Sequence, residues 1–415
     1  MVEDIKPLEP LDMTPLFPRE LLEKPLSERL NFFRSKIIKH PNIDSVRNEV
    51  LWAIEDSSPG SIIICCGPPG VGKTTVLKDV EVELTKRRLV ELEQDPGLLA
   101  VASIHLKSPQ TGNFDWKKHY LKPLLVSMEE PLVDKKIDMS PWAAHHRASM
   151  SLVASKRADG EDYRDMVEDA LRIRKPTAVL VDDAQHVGVI SSGRKQLDQT
   201  NMIKSVADRT GVPHTLFATY EFVPFRNQNG QMSRRSVDIH FPRYQASNET
   251  ERNYFINALY TFQKWLPLET MPDFVRADRM CPDWDYFYEH SLGCIGLLKD
   301  WISRAYSLAL RQKAATLTFD HLDRRALSVS ALSTLLAEIV SGESEYEESV
   351  AKRSLLRADL GLDGVGRNKN HSGEMHFPNP KEKSTKDDSK GSRKGRGRRP
   401  GKRNPVRDKI GDRAA

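Results

Sequence analysis

The sequence predicts an α/β protein in which a parallel sheet is followed by a helical region and an unfolded basic tail. Three observations predict it. Apolar runs of strand length alternate with amphipathic helical stretches as far as residue 244, only helical periodicity follows over 245–341, and aliphatic residues nearly vanish after residue 366. Alternating strands and helices point to a parallel sheet, because each parallel pair needs a crossover and a helix supplies it.

The elements follow in order. Residues 27–38 place Leu30, Phe33 and Ile37 on one helical face, and residues 43–54 do the same with Val46, Val50, Leu51 and Ile54. Ser57, Ser58, Pro59 and Gly60 break the pattern. Ile62–Cys66 is continuously apolar, as expected of a strand buried on both faces. Residues 74–92 read as a helix, 98–106 as a second strand, 177–181 as a third, 196–210 as a helix, 215–219 as a fourth strand and 236–241 as a fifth. Helices are expected over 249–266, 284–290, 295–310 and 319–340, with one charged helix over 343–360. The expected organisation is an extended arm (1–26), an α/β domain with its leading helices (27–244), a helical lid domain (245–341), a charged linker (342–366) and a disordered basic tail (367–415).

Composition bounds the class. A chain of 415 residues exceeds what one core usually absorbs, and 39% hydrophobic with 29% charged residues is ordinary for a globular protein. No apolar run approaches the roughly 20 residues of a membrane span, so no membrane partner is expected. Met1 to Pro10 has neither a basic n-region nor an apolar h-region, and nothing there is expected to direct secretion. Cys65 and Cys66 are adjacent in one strand, while Cys281 and Cys294 lack a CxxC partner; a reducing cytoplasm fits better than a disulfide framework or a zinc site. The net charge of +5 is unevenly spread: residues 367–415 hold 16 Lys and Arg against 6 Asp and Glu, so the body is mildly acidic. A segment so polar cannot bury enough surface to fold alone.

Gly67-Pro68-Pro69-Gly70-Val71-Gly72-Lys73-Thr74 is a GxxxxGKT string between the first strand and a helix, where its chemistry requires it. The glycines let backbone amides turn toward phosphate oxygens, the helix N-terminus adds partial positive charge, Lys73 reaches the terminal phosphates, and Thr74 ligates magnesium, with Thr75 completing the set. ATP and Mg2+ are therefore the expected cofactors. The third strand ends in Asp182 and Asp183: Asp182 is placed to hold the magnesium, and Asp183 to act as general base on the attacking water. Such ATPases usually carry Glu at the second position. The shorter Asp183 leads to an expectation of slow hydrolysis.

Further residues point to the AAA+ version of this P-loop fold. Thr219, ending the fourth strand, is a candidate sensor for the γ-phosphate or its water. Arg234 and Arg235, just before the fifth strand, are candidates for an arginine finger reaching a neighbouring subunit's ATP, which requires a ring or filament. Lys299 is a candidate second sensor cation in the lid, and a helix-surface lysine is the competing view.

With these residues in hand, the chain resembles the AAA+ transposition regulators known as TnsC and TniB. Val181-Asp182-Asp183-Ala184-Gln185-His186-Val187 looks like their Walker B segment, and 216–222 is similar to their first sensor segment. Ser233-Arg234-Arg235 with 239–244 looks like their finger turn and fifth strand, and 291–301 resembles their Gly-x-x-Gly-x-Leu-Lys-Asp-Trp lid helix. The resemblance covers roughly 27–340. It implies an ATP-dependent oligomer, a ring or helical filament on double-stranded DNA, that recruits a transposase and is itself recruited by a TniQ-type targeting protein.

DNA contact by such an assembly should fall on phosphates. Lys107, Lys117 and Lys118, with Phe114 and Trp116 interleaved, are one candidate set. The tail is another: 394–403 resembles an AT-hook in which Arg399 interrupts the core of Arg396 and Arg398. Plain phosphate attraction by a flexible polycation, or contact with the transposase, are the alternatives. Two rival functions remain: a nucleotide-gated DNA-binding scaffold with negligible hydrolysis, and a replication-initiator or signalling ATPase, which would be expected to add a winged-helix or repeat domain.

Overall fold

The structure, a computed structural model, describes residues 12–109, 114–131, 133, 160–188, 193–224, 236–278, 280–347 and 350–362. Its elements are α1 (Leu26–Ser35), α2 (Pro41–Asp56), β1 (Ile62–Cys66), α3 (Lys73–Arg87), α4 (Leu89–Gln94), β2 (Ala102–His105), a π-helical turn (Lys117–Leu121) leading into α5 (Lys122–Ser127), α6 (Gly160–Arg174), β3 (Val179–Asp182) and a 3-10 turn (Ala184–Gly188). There follow α7 (Gly193–Thr210), β4 (His214–Ala218), β5 (Ser236–His240), α8 (Glu249–Trp265), α9 (Trp284–Ser291), α10 (Ile295–Arg311), α11 (Phe319–Asp323), α12 (Val329–Tyr346) and α13 (Val350–Asp359).

Five parallel strands lie in the order β2-β3-β4-β1-β5. Cys66 sits opposite both Ala218 and His240, so three strands end level at one edge. Side-chain alternation sends Ile62, Ile64, Cys66, Val179, Val181 and Leu216 to one face, with Ile63, Cys65, Leu180 and Phe217 on the other. Helices α2 and α3 cover the second face through Val46, Val50, Val76 and Val80. On the first face, α5 to α7 contribute Leu124, Val167 and Val206. Each fully buried Ile, Val or Leu stabilises the fold by about 1.5–3 kcal/mol before entropy is set against it, which is why strands covered on both sides read as unbroken apolar runs.

A third cluster builds the helical region from Phe255, Leu259 and Phe262 of α8 with Trp301, Ile302 and Tyr306 of α10. Helix α1 joins this cluster through Leu30 and Phe33, and Arg34 Nε donates to Ser303 Oγ at 3.1 Å. Helix α12 goes the other way: Leu332 and Ile339 pack into the cluster on the sheet.

Several elements differ from expectation. The second strand is shorter than 98–106, because the Leu99 N–H is taken by the Arg174 carbonyl at 2.8 Å, off the ladder. The stretch 319–340 divides, since the Ser328 hydroxyl accepts from the Ala331 N–H and starts α12 afresh. That helix runs to Tyr346, so 343–360 is two helices rather than one. Helix α6, not among the expected helices, carries Tyr163, Val167, Ala170 and Leu171 at helical spacing on its buried face. Among the described residues no strand follows β5, and no helix is long and apolar enough to cross a membrane. From residue 351 onward the described residues group as a separate unit, in which Leu355 and Leu356 of α13 and Leu360 just beyond it are exposed.

Candidate functional site

The level carboxyl edge of the sheet builds the site. At this edge of a parallel sheet, helix N-termini and loops converge, and open α/β sheets bind ligands there. After β1 the Gly67 N–H donates to the Ala218 carbonyl at 3.2 Å, and the Phe241 N–H to the Cys66 carbonyl at 2.8 Å, anchoring the loop to both flanking strands. Gly72 precedes α3 with φ 121°, a conformation closed to residues with a Cβ, and so starts the helix sharply enough for the N–H groups of its first turn to face the loop.

Lys73 is buried, with Nζ donating to the Gly67 and Pro68 carbonyls at 2.8 Å each. Burial lowers its affinity for its proton. Thr74 Oγ1 donates to Asp182 Oδ2 at 2.8 Å, which places a hydroxyl and a buried carboxylate together under the loop. This donor set fits magnesium, which takes one or two protein oxygens and fills the rest of its shell with phosphate and water. Among the described residues no group of three or more His, Cys, Asp or Glu side chains could hold a metal ion, and this site needs none.

Asp183 lies just beyond β3 with φ 53°, in the left-handed region, which Asp tolerates better than most residues. Its Oδ1 accepts from Gln185 Nε2 at 3.0 Å, and its Oδ2 lies 3.3 Å from His105 Nε2; His105 Nδ1 is 3.5 Å from Asp182 Oδ2. Gln185 Oε1 in turn accepts from the Thr219 N–H at 3.2 Å. The Thr219 hydroxyl is buried without a hydrogen-bond partner among the described residues. A cleft of about 630 Å³ opens here, with Pro69, Gln185 and Thr219 on one wall and Glu338, Ile339 and Gly342 of α12 on the other.

The structure thus brings together Gly67 to Thr75, Asp182, Asp183 and Thr219. His105 and Gln185 were not among the candidate residues. Gln185 stands in the quoted Walker B string, and its type alone, an amide that both donates and accepts, was the available signal. His105 ends β2, and its nearness to the two acids comes from the β2-β3 register, which pairs it with Asp182.

Lys299 is placed elsewhere. Its Nζ donates to the Arg34 carbonyl at 2.8 Å and to the Lys36 carbonyl, closing the C-terminus of α1. From the same helix the phosphate loop is met instead by the Gly296 N–H, which donates to the Gly70 carbonyl at 2.7 Å. Lys107 and Lys118 are exposed, Lys118 lying 3.8 Å from Asp115, while Lys117 Nζ sits 4.6 Å over the Tyr163 ring. Phe114 is buried and Trp116 packs on Tyr120, so these aromatics serve the core rather than offering stacking surfaces between the lysines. Arg234, Arg235, Arg396, Arg398 and Arg399 lie outside the described residues.

Residues 56–224 match the family profile described as the AAA domain. No curated protein matches the chain. Among solved structures, the chain is similar to the Aeropyrum pernix ORC2 protein at 14% identity and a TM-score of 0.45, covering 72% of each chain. It is also similar to a Walker-type ATPase of Pyrococcus abyssi at 12% identity and a TM-score of 0.42, covering 80% of this chain and 88% of that one. Drosophila ORC bound to DNA follows at 12% identity and a TM-score of 0.36, covering 83% and 86%. The fold, a five-stranded parallel sheet flanked by helices and followed by a helical region, is the AAA+ P-loop fold.

Proposed function

We propose that this chain is an ATPase that binds Mg-ATP at the edge of the sheet, assembles on double-stranded DNA, and links target-site selection to a transposase. The observation that carries the nucleotide half is the 2.8 Å contact of Thr74 with Asp182 beside the loop that encloses Lys73. The transposition half rests on the resemblance of the four segments quoted above to TnsC and TniB. In this reading Arg234 or Arg235 reaches the ATP of an adjacent copy, and a TniQ-type protein recruits the assembly. Lys107, Lys117 and Lys118 meet phosphates of the DNA, with the tail residues Arg396, Arg398 and Arg399 adding to that attraction.

The residues divide the work. Backbone amides of the loop beyond Pro69 and the Lys73 ammonium orient the triphosphate and offset its charge. Bound magnesium, held by Thr74 and Asp182, would draw charge from the phosphate oxygens. Asp183 accepts a proton from water as the water oxygen bonds to the γ-phosphorus. The bridging P–O bond breaks, and its electron pair leaves with ADP. Thr219 contributes beside that water its hydroxyl, which has no hydrogen-bond partner among the described residues.

The scaffold reading is favoured by one observation: both Asp183 oxygens already have neighbours. Phosphate release with Mg-ATP and duplex DNA separates the two. We expect Asp183→Asn, which suits the left-handed backbone, to retain ATP binding and slow release by at least about 100-fold. Equal release by wild type and this variant would end the ATPase reading. Electron microscopy with duplex DNA and a non-hydrolysable ATP analogue should show rings or filaments, and monomers under all conditions would end the assembly reading.

A further inference from the structure

We infer that Gln185 is a positioning residue for ATP hydrolysis, an amide bridge that aims the Asp183 carboxylate and ties it to the end of β4; this rests on the ATPase reading above. The polarity of the bridge follows from its ends. The Thr219 N–H can only donate and an ionised Asp183 can only accept, so Oε1 must face Thr219 and Nε2 must face Asp183, matching the observed 3.2 Å and 3.0 Å contacts. Only an amide of this length serves both ends: a carboxylate at 185 could not donate to Asp183, and an aliphatic side chain would serve neither.

The bridge answers a particular difficulty of this chain. Asp183 is one methylene shorter than the Glu usual at this position and sits on left-handed backbone, so its carboxylate depends on neighbours for its direction. Gln185 takes Oδ1 while His105 Nε2 lies beside Oδ2, fixing the plane of the group from two sides. Gln185 comes from the 3-10 turn Ala184–Gly188, whose tight winding returns the amide to a residue two positions earlier. The same amide ends on the backbone of Thr219, whose hydroxyl is buried without a partner among the described residues, and both residues line the cleft with Pro69 of the phosphate loop. One side chain therefore keeps the base and the sensor in register.

The full-length chain carrying Gln185→Leu, and separately the near-isosteric Gln185→Glu, which keeps the acceptor for Thr219 but loses the donor to Asp183, is assayed with Mg-ATP and duplex DNA. Each is also combined with Asp183→Asn. We expect phosphate release to slow by about 10- to 100-fold in each single variant. The dissociation constant of a fluorescent ATP analogue should stay within about twofold, and no further slowing should appear on the Asp183→Asn background, because residues acting as a unit are not additive. A single variant that releases phosphate at the wild-type rate overturns the inference alone. So does a loss of equal size on both backgrounds, or one explained by weaker nucleotide binding. A wild type no faster than Asp183→Asn overturns the ATPase reading, and this inference with it.

Discussion

His214, the first residue of β4, is fully buried, with Nδ1 3.0 Å from the Val212 carbonyl and Nε2 without a partner among the described residues. Burial pushes the ring from its ordinary pKa of 6.5 down to about 4. Below pH 6.5 the unfolded chain takes up a proton that the folded chain refuses until about pH 4, so stability present at neutral pH is lost as pH falls through that window. The loss at this one ring is on the order of 3 kcal/mol at the acid end. His40, also buried, is pushed down to about 4 by the same cause and adds to the slope. Thermal melts of His214→Val between pH 7 and 4 should show a shallower decline than wild type, and parallel curves would refute this account. At this scale much was readable beforehand: Lys73, Thr74 and Asp182 are recognisable by type and spacing. His105 was not, because nothing in its own neighbourhood of sequence distinguishes it from any residue at a strand end.

Among the elements, α12 shows how a helix is fitted to the site. A Cβ added at Gly342 would lie 2.0 Å from the Tyr220 ring, just beyond β4, and Tyr220 hydrogen-bonds His240 of β5 at 2.7 Å while Tyr346 stacks on His240 at 4.5 Å. The glycine is there for space, since a ring held by His240 and packed against Tyr346 cannot give way. Gly342→Ala should destabilise by about 1–3 kcal/mol through overpacking, and should also slow phosphate release by moving Thr219 beside it. Denaturant melts and the release assay check this; wild-type values in both would show that α12 yields freely. The strands themselves were legible because burial on both faces demands apolar runs. The boundaries of α11, α12 and α13 were not, since the Ser328 cap interrupts a pattern whose apolar period continues past it.

Across the whole molecule, Arg243 and Glu343 connect the sheet to the helical region although 100 residues separate them. Two parallel contacts, Nε to Oε1 at 2.9 Å and Nη2 to Oε2 at 3.2 Å, join them, and Nη1 donates to the Tyr288 hydroxyl at 3.1 Å and to the Leu292 carbonyl at 3.3 Å. Their side chains are only 10% and 13% exposed. Despite burial, which opposes charge, the bond to Glu343 and its charge hold the Arg243 proton more tightly than usual. Removing one partner leaves the other charge buried and uncompensated, at about 3–5 kcal/mol. Glu343→Gln should therefore lower the melting temperature more than any exposed Glu→Gln change, and added salt should not close the gap, because buried pairs are poorly screened. A salt-sensitive difference would place the pair in solvent instead.

By itself the sequence determined the α/β class, the phosphate loop and the acid pair, because each is written in contiguous residues whose chemistry depends only on local backbone. Tertiary structure alone decided that Lys299 closes α1, that Gln185 spans Asp183 and Thr219, and that Arg243 meets Glu343. These partners are set by strand register and helix packing over separations that no local pattern records. Burial then gives each choice its weight, because a polar group removed from water must find a partner wherever the fold supplies one.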